Sequence, residues 1–285
     1  MKILLTGVNG QVGWELRRTL ATLGEVIAPT RAQLDLTDAT ALRNFLHEIG
    51  PDLIVNPAAY TAVDKAESEP ELAHAINTIA PAVMAEAAAK LGAAMVHYST
   101  DYVFDGSKSG PYLESDNTNP LSVYGKTKLA GEQAIVAADI PHLILRTSWV
   151  YGLRGGNFLL TMQRLFKERD TLNVVNDQFG APTWSRMIAE ASAQIIAQHP
   201  FRNDSGIYHL TNAGNISWYN FAQAILARTT LPADKQVTIN AIPAAQYPTA
   251  ATRPVNSVLS GDKVRHTFGI CMPDWEATLD RCMGN

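Results

Sequence analysis

The apolar run Ile3-Leu4-Leu5 breaks after Thr6 into Gly7-Val8-Asn9-Gly10-Gln11-Val12-Gly13, and a helical pattern follows at once. Few features constrain a chain more. Glycines at this spacing let the backbone turn sharply and come close to a pyrophosphate, while the helix behind them offers unpaired N–H groups and the positive end of its dipole. Strand, glycine turn and helix, met at the very start of a βαβ unit, predict a dinucleotide site carried by Gly7, Gly10, Gln11, Val12 and Gly13.

The rhythm that follows extends this reading. Strands are expected at 2–6, 25–28, 52–56, 94–98 and 142–146. Helices are expected at 11–23, 39–49, 71–91 and 123–137, the second opened by Asp38 as its N-cap. Short β-rich runs alternating with longer helical ones build a parallel sheet covered by helices. The run Asp-Leu-Ile-Val-Asn at 52–56 has no polar alternation, as befits a strand covered on both faces. After Ser148 the spacing loosens. Gly152, Gly155 and Gly156 form a hinge-like loop, and helices at 157–167, 185–198 and 217–228, a strand at 206–210 and a Pro-rich loop or edge segment at 243–254 follow. The expected fold class is α/β: a Rossmann-like doubly wound parallel sheet with a smaller C-terminal substrate domain. Residues 1–150 form the dinucleotide-binding domain, rejoined by 184–212, and residues 151–183 and 213–285 form the substrate domain.

Composition bounds the partners. With 285 residues, 46% of them hydrophobic and 18% charged, the chain belongs with ordinary globular proteins. A formal charge of −4 argues against a nucleic-acid partner. No run has the length of a membrane span, and the apolar trio after Met1 and Lys2 is too short for a secretory signal. Cys271 and Cys282 sit in no metal-ligand spacing and read as reduced structural thiols, so a cytoplasmic protein is expected.

Which dinucleotide binds is read at the end of the second strand. A carboxylate there favours NAD, whereas an Arg accommodates the 2′-phosphate of NADP. This chain has Thr30-Arg31 and no acidic residue at that point, which favours NADPH. Reading Arg31 as a solvated surface residue leaves NADH open. Asp35 and Leu36 are placed near the adenine. Ala58 and Ala59, with Tyr60 after them, supply the segment past the third strand where the cofactor's backbone passes.

Chemistry is expected after the fourth strand. Tyr124 and Lys128 are one helical turn apart, so their side chains share a face. An ammonium beside a phenol favours the phenolate and makes Tyr124 an acid/base of use near neutral pH. Thr100, in Ser99-Thr100-Asp101-Tyr102, brings a hydroxyl able to place a substrate oxygen. Tyr-x-x-x-Lys alone is common on helix surfaces. Here it falls at the carboxyl ends of the strands, where open α/β sheets bind ligands.

These residues resemble the extended short-chain dehydrogenase/reductase superfamily. Further stretches resemble its dTDP-4-dehydrorhamnose reductase family: Thr61-Ala62-Val63-Asp64-Lys65-Ala66-Glu67, Leu129-Ala130-Gly131-Glu132, Arg146-Thr147-Ser148-Trp149-Val150-Tyr151, Asn176-Asp177-Gln178-Phe179-Gly180-Ala181-Pro182-Thr183 and Arg253-Pro254-Val255-Asn256-Ser257. The resemblance implies NAD(P)H-dependent reduction of a nucleotide sugar at C4, dTDP-4-dehydro-L-rhamnose to dTDP-L-rhamnose. It gives Tyr124 the role of proton donor, Lys128 that of holding the nicotinamide ribose, and Thr100, Asp101 and Trp149 the sugar. Gln178, Arg253 and Asn256 are assigned to the nucleotide diphosphate and base. Some members pair through a Mg²⁺-bridged glutamate interface. Glu15 matches its first position, but Arg186 stands at the second and the chain ends before a third, which argues against a metal-bridged homodimer and leaves a metal-free one open. Another 4-ketoreductase or epimerase, or a non-catalytic NADP-binding regulatory subunit, stays as an alternative. The intact Thr-Tyr-Lys set speaks against the last.

Overall fold

A computed structural model describes residues 1–198 and 203–284. Its first half winds as β1 (Lys2–Leu5), α1 (Gln11–Thr19), β2 (Glu25–Ile27), α2 (Ala39–Ile49), β3 (Leu53–Asn56), α3 (Val63–Ala66), α4 (Pro70–His74), α5 (Ala80–Leu91), β4 (Ala94–Thr100), α6 (Val123–Ala137) and β5 (His142–Thr147). The chain continues through β6 (Val150–Tyr151), α7 (Phe158–Glu168), β7 (Thr171–Val175), β8 (Phe179–Gly180), β9 (Thr183–Trp184), α8 (Ser185–Gln198) and β10 (Gly206–His209). It closes with β11 (Ile216–Ser217), α9 (Trp218–Ala227), β12 (Thr238–Ile242), α10 (Asp262–Phe268) and α11 (Trp275–Met283).

The central sheet runs β10-β5-β4-β3-β1-β2, every pairing parallel. Winding reverses between β1 and β3, which opens a crevice at the carboxyl ends of those strands. The two-residue period of a strand divides the core. Ile3 and Leu5 turn to one face, with Leu16, Leu20, Ile188, Ile195 and Phe268, while Leu4 and Ile54 turn to the other, with Leu42, Leu46, Met84 and Ile135. Helix α2 starts where Asp38 accepts from the N–H groups of Thr40 and Ala41, as its sequence predicts, and stops at Gly50, whose φ is +56°.

Three boundaries depart from expectation. The helix expected over 71–91 is interrupted: residues 75–79 wind as a π-turn between α4 and α5, and a separate short helix, α3, precedes them. Asn77 explains the interruption. Its buried side chain accepts from Tyr60 N (2.8 Å) and donates to Tyr60 O and Thr127 Oγ1 (3.1 Å each), satisfying groups that lie beyond its own helix. The fourth strand runs on to Thr100, which puts Ser99 and Thr100 in the sheet itself. Helix α1 ends at Thr19, short of residue 23.

Beyond β5, α8 packs on α1 and β10 pairs with β5, so this stretch rejoins the sheet. Elsewhere β6 pairs with β9, β7 with β12 and β8 with β11, around a third core of Tyr151, Leu159, Phe166, Phe221, Ile225 and Leu279. The pairing of β7 with β12, just ahead of the Pro-rich segment, joins residues more than sixty positions apart and has no local signature. Cys271 is exposed and Cys282 buried, both free. Among the described residues, no helix is long and apolar enough to cross a membrane.

Candidate active site

The glycine turn is built as its spacing demands. Gly7 holds a left-handed φ of +58°, and a Cβ there would stand 2.8 Å from Ala58 N. A Cβ on Gly13 would collide with the carbonyl oxygen of Gly7. Gly10, at the N-cap of α1, brings no side chain to cover the first-turn N–H groups. Such a cradle fits an anionic pyrophosphate, because backbone N–H groups and the helix dipole both face the space in front of it.

That space is a cavity of about 670 Å³ above the carboxyl ends of β1, β3 and β4. Of the residues expected at the site, Gly7, Gly10, Gln11, Val12, Gly13, Arg31, Asp35, Leu36, Ala58, Ala59, Thr100, Asp101, Tyr124, Lys128 and Trp149 line it. Tyr102, Ser99, Val63, Ile76, Gly155, Gly156 and Trp218 line it too, and sequence reasoning did not single them out as site residues. Ser99 and Tyr102 flank Thr100 and Asp101 in the chain and were within reach of it. Trp218 was not, since it arrives from the far end of the fold.

Five expected residues lie outside the lining. Thr30 folds its own turn, with Gln33 Oε1 accepting from both its N–H and its hydroxyl at 2.9 Å. Tyr60 is fastened to Asn77 through its backbone and donates its hydroxyl to Glu69 (2.6 Å). Asn256 donates to the carbonyls of Lys108 (2.8 Å) and Gly110 (2.9 Å) and accepts from Val258 N (3.1 Å), so its amide is fully used in bracing a loop. Arg253 donates to Asp64 (2.6 Å) and bonds Tyr102, and is brought near the site only through that ring. Gln178 is half-buried just ahead of β8 and does not face the cavity.

Around the reacting end, Ser122 caps α6 by accepting from Gly125 N (3.1 Å) and so aims Tyr124 across the crevice. The Tyr124 phenol meets the Thr100 hydroxyl, which itself donates to Asp101 Oδ1 (3.0 Å). Burial pushes Tyr124 up to about 12, opposed by the Thr100 bond and reinforced by the Asp101 charge. Lys128 therefore does not lower it, as the one-turn spacing predicts it should. Its Nζ is turned to Tyr98 O (2.6 Å) and to the His97 ring (3.0 Å). Burial brings Lys128 itself down to about 8, with Glu132 acting the other way. Burial also raises Asp101 to about 6, against hydrogen bonds from Ser257, Ser148 and Thr100.

Trp149 closes the far side. It sits at a φ of +45°, stacks on Trp218 (centroids 3.3 Å, planes 4° apart), and lies so close to Gly180 that a Cβ there would collide with its indole. Glu15 pairs with Arg18 (3.5 Å), Arg18 with Glu190 (3.4 Å) and Glu190 with Arg186 (2.9 Å). Arginines thus balance these carboxylates, and among the described residues no group of three or more His, Cys, Asp or Glu is placed to hold a metal.

A doubly wound parallel sheet, a glycine cradle at its first turn, and a Thr-Tyr-Lys set facing the same cavity define a short-chain dehydrogenase/reductase. Comparison with known proteins narrows the class. The family described as RmlD substrate binding domain matches residues 1–285. The chain is 47% identical over 292 residues to a dTDP-4-dehydrorhamnose reductase of Burkholderia thailandensis, covering 99% of this chain and 98% of that one. A crystal structure of a dTDP-4-dehydrorhamnose reductase from Clostridium acetobutylicum superposes with a TM-score of 0.92 at 40% identity, covering 100% of this chain and 99% of that one. One from Bacillus anthracis in complex with NADP gives 0.91 at 36% identity, covering 99% and 98%. The chain belongs to the dTDP-4-dehydrorhamnose reductase family.

Proposed function

We propose that this protein reduces the C4 keto group of dTDP-4-dehydro-L-rhamnose to dTDP-L-rhamnose with NADPH, making a precursor of cell-surface polysaccharide in the cytoplasm. The observation that carries the reading is the Thr100–Tyr124–Lys128 set on the same cavity as the glycine cradle, in a chain that matches reductases of that name from end to end.

Gly7, Gly10 and Gly13 with the start of α1 would hold the pyrophosphate of the dinucleotide, and Arg31, which lines the cavity, a 2′-phosphate. The NADP complex of the Bacillus anthracis relative supports NADPH. NADH is the second cofactor the site would accept. When bound, the nicotinamide supplies the hydride that reduces the keto carbon. The chain's own residues do the rest. Thr100 positions the keto oxygen by hydrogen bonding. Tyr124 donates its phenolic proton to that oxygen as negative charge develops there, a step suited to a phenol that burial keeps protonated. Lys128 orients the cofactor's ribose and then stabilises the phenolate left behind. Trp149, backed by Trp218, forms the wall against the sugar. Residues 1–150 with 184–212 bind the dinucleotide in this reading, and 151–183 with 213–285 the nucleotide sugar.

The test is NADPH oxidation by the purified chain with dTDP-4-dehydro-L-rhamnose, followed by NMR of the product. Oxidation with dTDP-L-rhamnose formed is expected. A different 6-deoxyhexose product would mean another 4-ketoreductase, and no oxidation despite NADPH binding would mean a cofactor-binding subunit.

A further inference from the structure

Beneath Lys128 lies a buried polar file that the mechanism above does not use. His97, on β4, is wholly buried. Its Nε2 stands 3.0 Å from Lys128 Nζ and its Nδ1 3.0 Å from the Asn56 amide nitrogen on β3. The Asn56 carbonyl oxygen accepts from Thr6 Oγ1 (2.6 Å), and Thr6 borders the cavity beside the glycine turn. Thr6, Asn56, His97 and Lys128 thus form one hydrogen-bonded line, all within the sheet or pressed against it.

The line has a direction, set by counting donors. An ammonium has N–H groups to give and no lone pair to accept with, and a neutral imidazole carries a single N–H. If Lys128 is charged, Nε2 must accept from it, so the imidazole proton sits on Nδ1. Asn56 must then present its oxygen to that N–H and its amide nitrogen to the Thr6 hydroxyl, its amide turned over from the orientation found, in which the oxygen faces Thr6 Oγ1 and the nitrogen faces Nδ1. In the orientation found, Asn56 gives its amide N–H to Nδ1, the imidazole proton sits on Nε2, and the group facing it must be a neutral amine. One proton on Lys128 therefore goes with one imidazole tautomer and one orientation of an amide two strands away.

The surroundings leave Lys128 close to that balance. Burial favours the amine. Glu132, one turn along α6, favours the ammonium, but it is engaged by Arg146 on β5 (2.6 and 2.9 Å). From β4 come only the His97 ring and Tyr98 O, and from its own helix also the uncharged Tyr124 phenol. Burial and the Lys128 charge keep His97 neutral. An isolated buried ammonium with one acceptor missing is costly, so the Nε2 lone pair carries weight here.

We propose that His97 is the positioning residue of Lys128: its Nε2 accepts one ammonium N–H and Tyr98 O a second, which keeps Lys128 charged and leaves its third N–H for the ligand in the cavity. The inference rests on the reading of Lys128 given under Proposed function. Two measurements test it, and the first does not require turnover.

Nitrogen-15 NMR of the histidine-labelled, cofactor-free chain should show His97 as the Nδ1–H tautomer below about 8, where Lys128 carries its proton, and a change to Nε2–H above it. An Nε2–H tautomer throughout would overturn the proposal, even if the chain reduces its sugar as expected. In the second, His97→Leu should lower kcat by about tenfold and move the alkaline limb of its pH profile about one unit to lower pH, with the KM for the nucleotide sugar little changed. His97→Gln, which keeps an acceptor near the Nε2 position, should restore the limb. A His97→Leu enzyme with the wild-type limb and kcat within about twofold would reduce His97 to a core residue. Should His97→Leu fail to fold, the NMR of the unaltered chain still decides.

Discussion

Tyr124, half-buried, and Asp101, buried, both flank Thr100, and desolvation acts on them in the same direction, raising each above its ordinary value. For the phenol this is an advantage, since a proton donor must still hold its proton when the keto oxygen calls for it. Tyr124→Phe should lower kcat by about 10²–10⁴ and leave NADPH affinity nearly intact, because it removes the donor and little volume. Titration of the variant with NADPH beside its steady-state rate checks both halves, and a rate within a few-fold of wild type would sink the assignment. For Asp101 burial is a liability. Its folded value of about 6 lies above the 3.8 of the free side chain. Its contribution to stability is therefore fully present below about 4 and is lost as pH rises through about 6. Asp101→Asn should raise the stability of the folded chain at pH 7 by about 3 kcal/mol relative to its effect at low pH, read from urea unfolding across that range. Residue identities such as the Tyr124–Lys128 pair were legible in the sequence because a helix repeats every few positions. The contact that actually holds Lys128 was not, since His97 lies thirty-one positions away on a strand.

Helix α6 shows the same division at the next scale. Its limits, Val123–Ala137, follow from the sequence pattern, but its depth does not. A Cβ on Gly131 would collide with the carbonyl oxygen of Asn77 in the π-turn, and one on Gly125 with that of Tyr102. These glycines let α6 sit against its neighbours, and the buried Glu132–Arg146 pair ties it to β5 (2.6 Å). Nothing local in the sequence marks the π-turn, because it is Asn77 bonding to Tyr60 and Thr127, neighbours only in the folded chain, that accounts for it. The strands β1, β3, β4 and β5, by contrast, were readable from apolar runs that no solvated segment would carry. Gly131→Ala should lower stability by about 1–3 kcal/mol, since neither backbone can yield without shifting its helix. It should also lower kcat, because α6 carries both Tyr124 and Lys128 and a displacement of about 1 Å can reduce a rate by about 10²-fold. Thermal unfolding and turnover measured on the same preparation check it. A variant as stable as wild type would show that α6 has slack that its packing does not suggest.

Across the whole molecule, the cavity has two unlike walls. The sheet side is made of backbone turns and buried hydrogen bonds. The opposite side is aromatic, and it depends on a residue in an uncommon conformation. Trp149 holds a φ of +45°, of the kind that costs about 1–3 kcal/mol for a bulky side chain and persists only where its surroundings enforce it. Two neighbours do so here: Gly180, whose missing side chain makes room for the indole, and Trp218, which lies flat against it from the start of α9. The stack joins the strand edge that carries the chemistry to elements some seventy residues further along the chain. Trp218→Ala should therefore act on one ligand and not the other. Loss of the stack, worth about 0.5–1.5 kcal/mol, corresponds to a rise of about two- to tenfold in the KM for the nucleotide sugar. NADPH affinity should stay within about twofold, since the glycine cradle and Arg31 lie on the sheet side of the cavity. Steady-state KM values for both ligands, with tryptophan fluorescence to report the loss of stacking, give the comparison. An equal rise for both ligands would mean that the aromatic wall supports the whole cavity rather than the sugar's part of it, and no rise for either would remove Trp149 from the site.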